Sequence, residues 1–127
     1  MSTAIAEPGL TLASCVVRDT AARKGRTRTV SPGETSAKHL HYGRIILDAG
    51  MAAERVDPGG HETGLICLRG EATVALGTAV HPMRPYDALY VPRDTVFTVT
   101  PGPAGCDLAE LSAPVSGQYP VQFVSFE

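Results

Sequence analysis

A chain of 127 residues with a formal net charge of −2 has the length of one ordinary domain and no general attraction to nucleic acid. Thirteen glycines, ten prolines, 6% aromatic residues and no tryptophan argue against long helices and for short strands joined by turns. Cys15, Cys67 and Cys106 form no C-x-x-C pair and lie in apolar surroundings, so reduced, buried thiols of a cytoplasmic protein are expected.

The start MSTAIAEPGL has neither a basic beginning nor a long apolar core, so it does not read as a signal peptide, and no later run is long enough to cross a membrane. Residues 1–8 are expected as a flexible arm or a swapped edge strand. Leu10 to Val17 reads as a first strand, and Arg18, Arg23, Lys24, Arg26 and Arg28 then mark a solvated basic loop. Ser31-Pro32 starts a turn, with room for a single helical turn after it. In HLHYGRIILDAG the alternation places His39, His41, Gly43, Ile45 and Leu47 on one face and Leu40, Tyr42, Arg44 and Ile46 on the other.

Met51 to Val56 is short enough to be strand or helix fragment. Asp57-Pro58-Gly59-Gly60 then forces a break. Next comes the stretch around which the chain is organised, HETGLICLRGEATVAL from His61 to Leu76, which reads as a central hairpin turning at Arg69-Gly70-Glu71. Gly77 to Pro85 is turn-like, with His81 expected at the surface. Strands are expected at Ala88 to Val91, Thr95 to Thr100 and Cys106 to Leu111, with Pro101 to Gly105 as a loop and Tyr119 to Phe126 as a last extended piece. Eight to ten short strands of this kind predict an all-β sandwich or barrel in a single domain, residues 1–127.

In this setting the chain resembles a cupin, a single jelly-roll β-barrel. Gly70 falls on the closing glycine of the first cupin motif, His61-Glu62-Thr63 on its acidic end, and Asp87 and Pro92 on the second motif. The four positions at which metal-binding cupins carry their ligands fall here on Asp57, Gly59, Thr63 and Phe97, a set that does not supply three nitrogen or oxygen donors. No metal and no cofactor are therefore expected.

A closer resemblance is to the 5-deoxy-glucuronate isomerases and the related uronate ketol-isomerases. Gly25-Arg26 with Val30-Ser31-Pro32, Asp48-Ala49-Gly50, HETGLICLRGEATV, PYDALYVPRDTVFTV and LSAPV carry it. Members of that family have two cupin halves, with the metal and most catalytic residues in the second. The present chain is similar to the first. The resemblance implies an isomerase acting on a carbohydrate-derived acid, without carrying over any catalytic residue.

Parity supplies the candidates. Asp57, His61 and Thr63 point the same way, into the barrel, and His39 and His41 share a face that can line the same cavity. An imidazole beside a carboxylate suits a general base near neutral pH, so His61 is the expected base and Asp57 its orienting partner. His39 or His41 would polarise a carbonyl, and Thr63 and Phe97 would line the substrate. The plainer readings stay open: Asp57 capping its turn, His61 hydrogen-bonded at the barrel mouth, Phe97 packed in the core. So do three others: Glu62 facing solvent or a neighbouring strand, Tyr90 packed between strands, and Arg44 and Arg55 in surface ion pairs. His39, His41 and His61 together form an alternative metal site. A homodimer through an edge strand is expected, and the competing functional reading is a non-catalytic partner of a separate metal-containing cupin.

Overall fold

The computed structural model describes residues 11–127, so the expected N-terminal arm, residues 1–8, lies outside the described residues. One eight-stranded antiparallel sheet contains every strand among the described residues: β1 (Gly25–Val30), β2 (His41–Leu47), β3 (Glu54–Val56), β4 (His61–Leu76), β5 (Ala79–Met83), β6 (Ala88–Val91), β7 (Phe97–Pro114) and β8 (Gln122–Val124). Hydrogen bonding follows the order β1-β2-β7-β4-β6-β8, with β3 added to β7 and β5 to β4. The all-β expectation holds. Among the described residues no helix is long and apolar enough to cross a membrane.

The stretch His61 to Leu76 is one bent strand, not a hairpin. Gly70 has a φ of +67°, and the pairing of β4 with β7 shifts between Cys67 and Arg69 and between Gly70 and Ala72. At the first shift Leu68 is an extra residue on β4, and at the second Glu71 faces four residues of β7, 102–105, so the Arg69-Gly70-Glu71 stretch is a bulged irregularity of the ladder that bends the strand without reversing it. The same correction applies opposite, where Pro101 to Gly105 continues β7 instead of forming a loop. The proline that looked disruptive, Pro101, pairs with Ala72 directly beside the bulge, where ladder hydrogen bonds are already interrupted.

Three further expectations change. Cys15 belongs to a short 3-10 turn, Ala13–Cys15, rather than to a strand, because Thr11 and Ser14 cap one another through both side chains (2.9 and 3.1 Å). Cys15 is exposed, whereas Cys67 and Cys106 are buried as expected. The Gly25–Val30 part of the basic loop is a strand, since Arg and Thr alternate through it and Thr27 and Thr29 suit a pleated surface. Gly77 to Pro85 holds β5 after a two-residue turn, and Pro82 is tolerated because β5 pairs only with β4.

The core lies on one face of this sheet. Ile45, Val56, Leu65, Cys67, Val74, Met83, Leu89, Val91, Phe97, Val99 and Leu108 are essentially inaccessible. Burial pushes the Cys67 thiol up to about 11, with Cys106 contributing, so it packs as a small apolar group. On the opposite face Arg44 and Asp107 form a buried bidentate pair (2.8 and 2.5 Å), with Thr20 accepting from the same guanidinium at 2.8 Å. Arg44 is thus no surface ion-pair residue. It ties the segment before β1 to the centre of the sheet.

Candidate functional site

Residues paired across antiparallel strands share a face, so the register alone locates the site. Ile45 pairs with Leu108, and Cys67 pairs with Leu108 from the other side; all three belong to the core. Moving along the same face toward the other end of these strands, the rungs become polar. Glu110 stands opposite Gly43 and Leu65, and Ser112 opposite His41 and Thr63. On β1, Arg26 pairs with Ile45 and Arg28 with Gly43. The core face therefore ends in a polar cavity of about 180 Å³, lined by Arg26, Arg28, Asp57, Pro58, His61, Thr63, Glu110 and Ser112.

Three of the expected site residues, Asp57, His61 and Thr63, meet in this cavity. His41 does not line the cavity but packs behind His61, its ring 5.1 Å away in an edge-on arrangement. Partial burial, then Arg28, then His61 lower the pKa of His41, so the pair does not share two positive charges at neutral pH. Asp57 is placed differently from the orienting role. Its Oδ1 accepts from the Gly59 N–H at 3.1 Å, which makes it the cap of the Pro-Gly-Gly turn, and it makes no hydrogen bond to His61.

Two expected residues lie elsewhere. His39 is exposed in a bend before β2, because the strand begins only at His41 and parity beyond its end carries no direction. Phe97 is fully buried among Val56, Val74 and Val99, so its ring packs the core and does not line the cavity. No group of three His, Cys, Asp or Glu side chains among the described residues is arranged to hold a metal ion. At the four cupin ligand positions stand a turn-capping Asp57, a Gly59 without side chain, a hydroxyl on Thr63 and the core ring of Phe97. This donor set does not fit the metal of other cupins.

Sequence reasoning missed Arg26, Arg28, Glu110 and Ser112. Arg26 donates to both oxygens of Glu110 at 2.8 Å, and the Glu110 side chain is 5% exposed. This bond raises the Arg26 pKa and outweighs burial, which lowers it. Removing one partner of such a pair strands the other charge, at a cost on the order of 3 kcal/mol. The signal for Glu110 was present in its parity with Leu108 and Ser112; that for Arg26 and Arg28 was hidden by treating the basic run as solvated. Glu62 lies on the outer face, where it accepts from Tyr90 Oη at 2.7 Å. Burial and this bond push the Tyr90 phenol up to about 12. His81, expected at the surface, is half-buried and stacked on Phe123 at 5.7 Å.

Residues 15–127 match the KduI/IolB family. The chain belongs to the KduI/IolB family. An IolB-like protein from Salmonella typhimurium LT2 shares the fold with a TM-score of 0.70 at 24% identity, over 81% of this chain and 42% of its own. The Schizosaccharomyces pombe Cnp3 cupin domain (TM-score 0.60, 14% identity, 71% of this chain and 60% of its own) and KdgF from Halomonas sp. (0.59, 17%, 72% and 82%) are similar in fold. No curated protein matches the chain. The architecture is thus a cupin, as the motif resemblance implied, and the chain spans 42% of the length of the IolB-like relative.

Proposed function

We propose that this KduI/IolB-family cupin is an isomerase-like protein that binds a carbohydrate-derived acid at the polar end of its barrel. The observation that carries this reading is the cavity itself, in which His61, Thr63 and Arg28 converge on a space bounded by a neutralised Arg26–Glu110 pair, with the His41 ring packed against His61. Such a space accepts a small polar ligand.

An aldose–ketose isomerisation needs a base to take the proton from C2 of the open-chain sugar and return it to C1. His61 at the mouth is the base in this reading. His41, held neutral behind it, adds no second positive charge beside the base. Asp57 contributes by fixing the turn that presents His61, since His61 N–H donates to Pro58 C=O at 3.1 Å within the loop that Asp57 caps. The test is turnover of an aldouronate followed by NMR, with His61→Ala expected to lower kcat by about 100-fold or more while circular dichroism stays unchanged. Equal turnover by wild type and variant removes His61 from the mechanism.

The unfitted metal positions favour a second reading, a non-catalytic sugar-acid-binding cupin that works beside a separate metal-containing cupin. Binding of the uronate without any turnover by the purified chain selects it.

A further inference from the structure

We propose that Arg28 and Thr63 form a carboxylate-binding subsite on the inner wall of the cavity, and that this subsite selects a sugar acid over the corresponding neutral sugar. The proposal rests on the reading of the cavity as a sugar-acid site. It adds which residues read the acid group.

Thr63 is 1% exposed, lines the cavity, and its Oγ1 has no hydrogen-bond partner. Buried polar atoms are almost always satisfied; of the unpartnered side chains among the described residues, Thr27, Thr29, His41 and Thr63, only Thr63 lines the cavity, so its hydroxyl marks where a ligand's polar atom belongs. Thr63 stands opposite Ser112 of β7, which also lines the cavity. Arg28 stands at the next rung, opposite Gly43.

Charge decides which arginine meets the anion. Arg26 spends two N–H groups on Glu110, a buried carboxylate with no other partner among the described residues. Arg28 has no carboxylate within ion-pair distance among the described residues, so its guanidinium fork is available. A planar carboxylate matches that fork, with the Thr63 hydroxyl completing the shell. Of the two acidic groups that line the cavity, Glu110 is neutralised by Arg26, and Asp57 is exposed and turned to the Gly59 N–H. Glu110 therefore adds little repulsion to an anion at Arg28, and the charge of the exposed Asp57 is screened by solvent. The cavity volume of about 180 Å³ lies below the roughly 300–1,000 Å³ of pockets for drug-sized ligands, which points to a single sugar unit.

The experiment is calorimetric titration of the full chain with D-glucuronate and with D-glucose as its neutral counterpart. Wild type is expected to favour the acid. Arg28→Gln should weaken glucuronate binding by about tenfold to a hundredfold, as expected for loss of a charge-assisted hydrogen bond, and leave glucose binding unchanged. Arg28→Lys should keep part of the preference as a point charge. Arg28 is exposed on β1, and unfolding curves check that both variants fold. If Arg28→Gln discriminates as wild type does, the subsite assignment fails while the cavity reading stands. If wild type binds neither sugar, both fail. Equal or tighter binding of inorganic phosphate overturns the selection for a planar carboxylate.

Discussion

Thr63 shows what the site costs the protein. It is 1% exposed, yet its hydroxyl is left without a partner in a position where valine, of similar shape, would pack as well. Thr63→Val removes an unsatisfied buried group, so the variant is expected to be more stable by about 1 kcal/mol, read as a higher Tm in thermal unfolding. A lower Tm would mean that the hydroxyl supports the fold, and its claim on a ligand would weaken. Thr63 and His61 were legible in the sequence because their parity follows from the strand that contains them. Glu110 was equally readable from its parity with Leu108, but no motif drew attention to it. Arg26 and Arg28 were not legible as site residues: composition alone assigns a run of basic residues to solvent, and only pairing with β2 turns alternate arginines inward. Phe97 was misassigned for the opposite reason, since its position matched a cupin ligand while its side chain belongs to the core.

The elements carry a different lesson. Strand existence was readable from alternation, whereas the long strands β4 and β7 were each divided into two because Gly70 and Pro101 carry turn chemistry. A glycine with positive φ fits a reversal and a bulge equally well, and only the partner strand decides between them. Here the partner is close. A Cβ on Gly70 would overlap the carbonyl oxygen of Gly105, while Gly77, in the true turn, has open space around it at a similar φ of +59°. Gly70→Ala therefore suffers both the left-handed backbone penalty and a clash with β7, and is expected to lose on the order of 3–5 kcal/mol. Gly77→Ala suffers only the first, about 1 kcal/mol. Urea unfolding of the two variants separates them, and equal losses would return Arg69-Gly70-Glu71 to the status of an ordinary turn.

At the scale of the molecule, the sheet ends at β8, which pairs only with β6. Its free edge is apolar: Phe123, Val124 and Phe126 are 38%, 62% and 68% exposed. Segments of this kind are held in place from within, as Asp87 accepts from the Phe126 N–H at 2.9 Å and from the Arg84 N–H at 2.9 Å, which lowers the Asp87 pKa. The edge is therefore ordered and presents unpaired backbone groups, a template that proteins ordinarily cover. A second copy of the chain covers it most simply, by antiparallel pairing of β8 with β8 about a twofold axis. We expect a homodimer, with a solution mass twice the 13.3 kDa of the chain by light scattering. Val124→Lys puts a charge on the middle of that edge, far along the sheet from β1, and should give monomers that still bind ligand in the cavity. A wild type that remains monomeric at micromolar concentration, or a Val124→Lys variant that remains dimeric, would show that β8 is not the interface.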